Sequence, residues 1–314
     1  MGPAVTLIGS NPRVAAAEQA PARAATRRRS PGQWRAAALF LLPALVLLVA
    51  LRLLPTAEAV AQSFQRGTQS FTGGRFAGLE NYTLLFTDPT FQNVLWVTAV
   101  FLVIIVPLQI ACALFLAVLL VERFPGVGIV RTLVFIPVAA PAAVATVIWG
   151  VAYQPQGPIN AVLAAVGLPE QPFLTSADQA LLCIIVLLSW IGVGYWTLFL
   201  IAGLQDIPRE LYEAAALDGA GWWRTLWSVT LPNLRRPLAF VVVANTVSSV
   251  LVFVPIQILT QGGPAGSTRL IMYDLYNSSF VLGDLNIGQT EVVILLVFLI
   301  AITAVQFRML SKEK

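Results

Sequence analysis

Glu213-Ala214-Ala215, three residues, Gly219, nine residues, Val229, one residue, then Leu231-Pro232 is the most chemically directed spacing in the sequence. Glu213 offers a fixed carboxylate to a partner's arginine, since charge-assisted pairs with a guanidinium are strong and directional. Ala214, Ala215 and Ala216 are small enough for another backbone to come close. Asp218-Gly219 supplies a turn in which glycine takes positive φ at a helix end. This is docking chemistry, not catalysis. A second polar set lies inside apolar runs: Trp190, Ile191, Gly192 and Tyr195, then Asn245, Ser248, Ser249 and Gln257. Asn245 and Ser249 are four apart and share a helix face. Aromatic faces beside amides and hydroxyls suit a sugar ring, although Gly, Ser and Asn also serve helix–helix packing in membranes. Glu291 opens the last apolar run. It reads as a solvated residue at the outer interface. A sharper reading puts it on a substrate path, binding a hydroxyl or amine, or paired with Arg52.

Absences narrow the chemistry further. The chain has no histidine, which removes Ser-His-Asp and Cys-His catalysis and every His-ligated metal site. Lysine occurs only at Lys312 and Lys314, so no internal lysine can reach the phosphates of a GxxxxGK[ST] loop. An integral-membrane enzyme is disfavoured on the same grounds. Cys112 and Cys183 sit in apolar runs and read as small buried hydrophobes rather than a disulfide.

The elements that must position these residues are membrane helices. Hydrophobic residues make up 58% of the chain and charged ones 11%, against about 25% charged in soluble domains. A spanning helix needs roughly 20 apolar residues, and six such segments lie near 36–60, 92–121, 130–153, 179–204, 237–260 and 288–307. The expected fold class is therefore all-α and integral to the membrane, with one permease-like domain over 36–307. Pro107, Pro137, Pro141 and Pro255 fall inside spans and predict kinks rather than breaks. Residues 1–35 form a basic tail too poor in apolar surface to fold, and 308–314 a short C-terminal tail; signal-peptide and nucleic-acid readings of the first tail are weaker.

Charge sets the orientation, because Lys and Arg concentrate on the cytosolic side. With both termini inside, Arg13, Arg23, Arg27, Arg28, Arg29, Arg35, Arg123, Arg131, Arg209, Arg224, Arg235, Arg236, Arg308, Lys312 and Lys314 are cytosolic. Only Arg66, Arg75 and Arg269 fall outside. The segment 206–236 is then cytosolic. Asp206 and Pro208 open a helix over 208–217, Asp218-Gly219 turns it, and a second helix over about 221–230 ends at Leu231-Pro232. Trp222, Trp223 and Trp227 are expected to seat this knob against the membrane domain.

The knob resembles the EAA motif of the membrane subunits of bacterial ABC importers, with Val229 where isoleucine is usual. The resemblance runs over nearly the whole chain from about Leu41. LLPALVLLVALRLLP, GLENYTLLFTDPTFQN, RTLVFIPVAAPAAVATVIWG and LTQGGPAGST are similar to the sugar-importer branch. The GGP turn is similar to the first permease of each pair, related to the larger maltose-transporter membrane subunit.

That resemblance implies a six-span type I importer permease that works as half of a heterodimer with a second homologous permease. Two copies of an ABC ATPase would bind ATP and Mg, with no cofactor in this chain, and an extracytoplasmic solute-binding protein would deliver a sugar. Glu213, Ala214, Ala215, Asp218 and Gly219 would contact the ATPase. Ile191, Gly192, Tyr195, Asn245 and Ser249 match sugar-contacting positions of the maltose-type relative, while Val252 falls where that relative has asparagine. The implied setting is the bacterial cell membrane, multi-pass, with no nucleic-acid partner. A glycerophosphodiester, polyol or amino sugar is the alternative cargo. An ion-coupled secondary carrier is the rival from another class; such a carrier normally needs an intramembrane carboxylate or an unwound helix, and the central parts of these spans carry no Asp or Glu.

Overall fold

The computed structural model describes residues 31–67, 74–122 and 124–311; the first thirty residues of the tail expected over 1–35, and Lys312 and Lys314, lie outside the described residues. The chain forms two compact units, one ending at Pro55 and one beginning at Thr56. The first contains α1 (Pro31–Leu48), which starts before the expected boundary at residue 36, carries Pro43 inside it, and passes into a π-helical turn, Val49–Leu53. Leu45, Leu48 and Leu51 are exposed there, as a lipid-facing helix requires.

The helix continues as α2 (Leu54–Ser63) into the second unit. A two-residue antiparallel pair follows, β1 (Gln65–Arg66) with β2 (Arg75–Phe76). Then come α3 (Glu80–Thr87), α4 (Pro89–Val121), α5 (Val127–Ala139), α6 (Ala142–Ala152), α7 (Pro158–Ala165) and α8 (Ala180–Gln205). The last part holds α9 (Arg209–Leu217), α10 (Trp222–Thr225), α11 (Leu231–Val250), α12 (Val254–Leu259), α13 (Ile271–Tyr276) and α14 (Leu285–Ser311). The loops expected outside the membrane are thus partly built. Asn81 of α3 donates from its amide to the Ser63 and Gln65 carbonyls at 2.9 and 2.8 Å. Asn286 and Thr290 of α14 reach the Gln62 and Ser63 carbonyls of α2. These bonds absorb carbonyls that the end of α2 would leave orphaned.

α4 and α8 form the centre. Asp88 caps α4, its carboxylate accepting from the Thr90 N–H at 2.9 Å, with Pro89 in the first turn where its missing N–H costs nothing. Gln109 meets Leu188 and Trp196, and Ala113, one turn later, meets Thr197. The two helices therefore run parallel. Their first halves share one apolar cluster around Phe101, Ile105, Ile184 and Ile185, and their second halves another around Ala113, Ala117, Leu200 and Leu204. Small residues let the neighbours close in, as membrane helices require: a Cβ on Gly194 would strike the Val134 carbonyl of α5, and one on Gly203 would strike Pro237 of α11.

Three proline expectations need correction. Among the described residues, five helices are long and apolar enough to cross a membrane, and α5 with α6 forms a further pair bent by 103°. Parallel α4 and α8 require the chain between them to cross back, so this bent pair is the third span. The bend is a break, not a kink: Ala140 and Pro141 are both extended, with ψ of 132 and 133°, because the residue before a proline is pushed out of the helical region. Likewise Pro255 does not kink a continuous fifth span. α11 ends at Val250, Leu251–Phe253 are not helical, and Pro255 sits in the first turn of α12. Finally, Leu231-Pro232 does not end the knob. α10 runs through a π-helical stretch, Leu226–Thr230, directly into α11. The widened turn accommodates the proline, and the Asn233 amide donates to the Val229 carbonyl at 2.7 Å.

The turn after α12 ends that helix sharply, as the glycines predict: Gln261 and Gly262 take φ of 48 and 81°.

Candidate coupling surface and translocation cavity

α9 is a short amphipathic helix closed by a Schellman turn. The Ala220 N–H bonds the Ala215 carbonyl at 2.9 Å, the Gly219 N–H bonds the Ala216 carbonyl at 3.0 Å, and Gly219 takes φ of 69°. Only glycine adopts that backbone without strain. No atom lies within 4 Å of a Cβ placed on Gly219, so the turn projects into open space. Glu213, Ala214, Asp218 and Gly219 are exposed and Ala215 is half-buried. Among the described residues, none of the hydrogen bonds or ion pairs engages the Glu213 carboxylate. The expected contact residues thus form one accessible patch.

The seat of the patch differs from expectation. Trp222, Trp223 and Trp227 are 52, 67 and 68% exposed, with Trp222 and Trp223 packed edge to face on each other. Trp222 still lines the cleft behind α9, whereas Trp223 and Trp227 do not, because α10 is the start of the fifth span rather than a helix folded back on the domain. The seat comes instead from Tyr212, whose hydroxyl lies 3.3 Å from the Thr230 Oγ1. A cleft of about 720 Å³ lies behind α9, lined by Glu122, Arg131, Arg209 and Glu213 among others. Arg131 crosses its floor to bond the Leu120 carbonyl at the end of α4.

The second set of residues converges halfway along the spans. Ile191, Gly192, Tyr195, Asn245, Ser248 and Ser249 all line one cavity of about 410 Å³. Its remaining wall is the unwound Leu251–Phe253 segment, with Val138 and Ala142 from either side of the α5–α6 break. Irregular backbone at membrane depth is tolerated where it lines such a cavity. The Ser249 hydroxyl donates to the Asn245 Oδ1 at 3.1 Å, the helix-face pairing that the four-residue spacing predicts. Tyr195 lies edge-on to Trp196 and Phe199. Gln109 and Trp196 also line the cavity and were missed; the available signal was a glutamine in the middle of a charge-free apolar run. Trp190 and Gln257 are not in the lining. Trp190 packs on Trp149 instead.

Glu291 lies elsewhere. It is 0% exposed, which overturns the solvated reading, and it is not in the cavity lining. The Ser278 hydroxyl donates to its Oε1 at 2.7 Å, while Oε2 has no hydrogen-bond partner. The π-helical stretch Asn277–Val281 folds over this part of α14, a tertiary cover that the sequence does not announce. Nearby, Asp274 pairs with Arg269 at 2.5 Å; burial still pushes the Asp274 carboxyl above the usual carboxylate range, with Arg269 pulling the other way. Glu291→Gln keeps an acceptor for Ser278 and should leave the half-saturation for uptake within about twofold, under 0.5 kcal/mol. Glu291→Leu orphans the Ser278 hydroxyl and should destabilise the purified protein by about 1–3 kcal/mol in a thermal melt. A tenfold change in half-saturation for Glu291→Gln would put the carboxylate on the substrate path.

The sequence pattern of the binding-protein-dependent transport system inner membrane component family matches residues 109–312. The chain belongs to that family. The permease is 35% identical over 279 residues to the sn-glycerol-3-phosphate transport system permease protein UgpA of Agrobacterium fabrum, covering 88% of this chain and 94% of the relative. It is 32% identical over 274 residues to the trehalose/maltose transport system permease protein MalF of Thermococcus litoralis, covering 86% and 92%. Its fold matches a chain of the crystal structure of a bacterial alginate ABC transporter in complex with alginate pentasaccharide-bound periplasmic protein. That match has a TM-score of 0.78 at 20% identity and covers 89% of the permease and 94% of the other chain. A second alginate importer structure matches with a TM-score of 0.76 at 18% identity. The type I importer fold and the transport class are therefore those expected.

Proposed function

We propose that this permease forms half of the translocation pathway of an ATP-driven importer for a sugar, paired with a second homologous permease. Two copies of a separate ATPase subunit bind ATP and Mg and hydrolyse the nucleotide; this chain supplies the surface they push. A solute-binding protein delivers the sugar on the opposite side. Both termini and the α9–α10 knob are cytosolic.

One observation carries this reading: the exposed Glu213–Gly219 patch leads through the short turn at 218–221 into α10, which runs into the cavity-lining helix α11 without a break in helical backbone. A partner that seats on α9 and moves thereby tilts α11. Asn245 and Ser249 lie on α11, and Pro237 of α11 rests against Gly203 of α8. The cavity walls then shift against each other about that close contact, which is how alternating access follows from closure of the ATPase pair. Rigid elements meeting at packed contacts move as discrete bodies rather than deforming smoothly.

The cavity suits a sugar in size and in chemistry. Tyr195, Trp196 and Phe253 supply aromatic surface for the apolar ring, and the amides and hydroxyls of Gln109, Asn245, Ser248 and Ser249 supply partners for its oxygens. Names of relatives as different as sn-glycerol-3-phosphate and trehalose/maltose permeases support a hydroxyl-rich cargo.

The test is uptake into proteoliposomes holding the permease pair and ATPase, with binding protein and labelled sugar outside and ATP inside. Uptake should need both ATP and the binding protein. Uptake driven by a proton or sodium gradient without ATP would refute the reading.

A further inference from the structure

Gln109 is the polar cavity residue whose only sequence signal is its place inside an apolar run, and both of its amide atoms have defined partners. The side chain is 4% exposed and lines the cavity from α4. The Trp196 Nε1–H, a donor only, bonds its Oε1 at 3.1 Å. The Leu188 carbonyl, an acceptor only, receives its Nε2–H at 3.0 Å. Those two partners fix which end of the amide is nitrogen, a point usually left open for glutamine. They also leave the second N–H of Nε2 without a partner among the described residues.

Asn245 lines the same cavity, is 1% exposed, and its Nδ2 has no partner among the described residues. Its Oδ1 is already taken by the Ser249 hydroxyl. Both amides are thus anchored through their other atoms, and each keeps an N–H without a partner beside the same cavity. Buried donors without partners are costly, about 1–3 kcal/mol each, and are retained where something else satisfies them. This chain's part of the lining contains no Asp, Glu, Lys or Arg, so the acceptor that fits it is an uncharged oxygen. A phosphate or carboxylate stripped of water there would find no counter-charge on this chain.

Gly192 matches this arrangement. A Cβ at 192 would stand 3.0 Å from Gln109 Nε2, 3.1 Å from Oε1 and 3.2 Å from Cδ. Glycine leaves the amide room to sit where it does.

We infer that Gln109 is a substrate-contacting, specificity-determining residue, which with Asn245 donates hydrogen bonds to the hydroxyl oxygens of an uncharged sugar, and that Gly192 holds the space it needs. The inference rests on the sugar-importer reading and adds to it the contacting donors and the exclusion of an anionic cargo.

Two measurements on the assembled importer test it. In proteoliposomes with maltose, trehalose and sn-glycerol 3-phosphate as probes, the wild type should carry a disaccharide in preference to the phosphate ester. Gln109→Met should raise the half-saturation for that disaccharide at least tenfold, with its maximal rate and its assembly with the ATPase changed less than twofold. Gly192→Ala should move half-saturation in the same direction. A Gln109→Met importer with unchanged half-saturation overturns the inference. So does a wild type that carries only sn-glycerol 3-phosphate.

The second measurement needs no cargo. In a background lacking Cys112 and Cys183, Gln109→Cys should react with a charged, membrane-impermeant thiol reagent admitted to the cavity. Failure to label marks position 109 as packed core and overturns the inference by itself. Labelling at 109, with no uptake of any of the three probes, sustains a cavity-facing Gln109 and rejects the substrate class on which the inference rests.

Discussion

Gly219→Trp is expected to leave the permease inserted and folded while abolishing its assembly with the ATPase and all uptake. A left-handed backbone costs a non-glycine residue about 1–2 kcal/mol, which the Schellman turn can absorb. The Cβ of the new side chain meets nothing within 4 Å among the described residues. The damage falls on whatever seats there. Loss of a well-packed contact at an interface centre costs about 2–4 kcal/mol, and 1.4 kcal/mol is tenfold, so uptake should fall by about 30- to 700-fold. Gly219→Asn tolerates positive φ and stays small, and should keep most activity. A pull-down of the ATPase on the purified permease separates the outcomes: retained binding of the tryptophan variant contradicts the coupling role.

Gly203→Leu should act on the transmission rather than the contact. A Cβ there would sit 2.6 and 2.7 Å from Pro237 Cγ and Cβ, so a leucine must force α8 and α11 apart. Overpacking of this kind costs about 1–3 kcal/mol. The expected results are a lower melting temperature and ATP hydrolysis that no longer drives uptake, with ATPase binding kept because α9 is untouched. Gly128→Ala, where a Cβ meets nothing within 4 Å, is the neutral control. Normal uptake by Gly203→Leu would mean that the α8–α11 contact does not transmit motion.

Much of the fold was legible because membrane helices declare themselves by length and hydropathy. Asp218-Gly219 located the end of α9, because a glycine cap is local chemistry, whereas the span placed from about 92 begins three residues earlier, at Pro89 behind the Asp88 cap. Proline was less legible. Pro107 stays inside one helix, Pro141 breaks a span through 103°, and Pro232 is carried through a π-helical turn. The same residue gives three outcomes because neighbouring helices decide whether freed carbonyls find partners. The cavity residues Ile191, Gly192, Tyr195, Asn245 and Ser249 do converge, since helical spacing and family resemblance both constrain faces. Gln109 did not stand out because its role depends on Trp196 and Gly192, which lie more than 80 residues away on another helix. Glu291 misled for a related reason: its position in the sequence suggests an interface, and its burial depends on a segment folded over it.

The unwound Leu251–Phe253 segment and buried Glu291 are the two features that an ion-coupled carrier would need. They do not meet here, because Glu291 is outside the cavity lining. That separation supports the proposed entry of energy through α9.

Site-specific photo-crosslinking tests that claim most directly. A photoreactive residue replaces Ala216, exposed on α9, and in a separate variant Val162, exposed on α7 beyond the other end of the spans. The account predicts that the assembled importer yields a covalent adduct with the ATPase from position 216 and none from 162. An adduct from 162, or none from 216 in a complex that still hydrolyses ATP and transports, would contradict it.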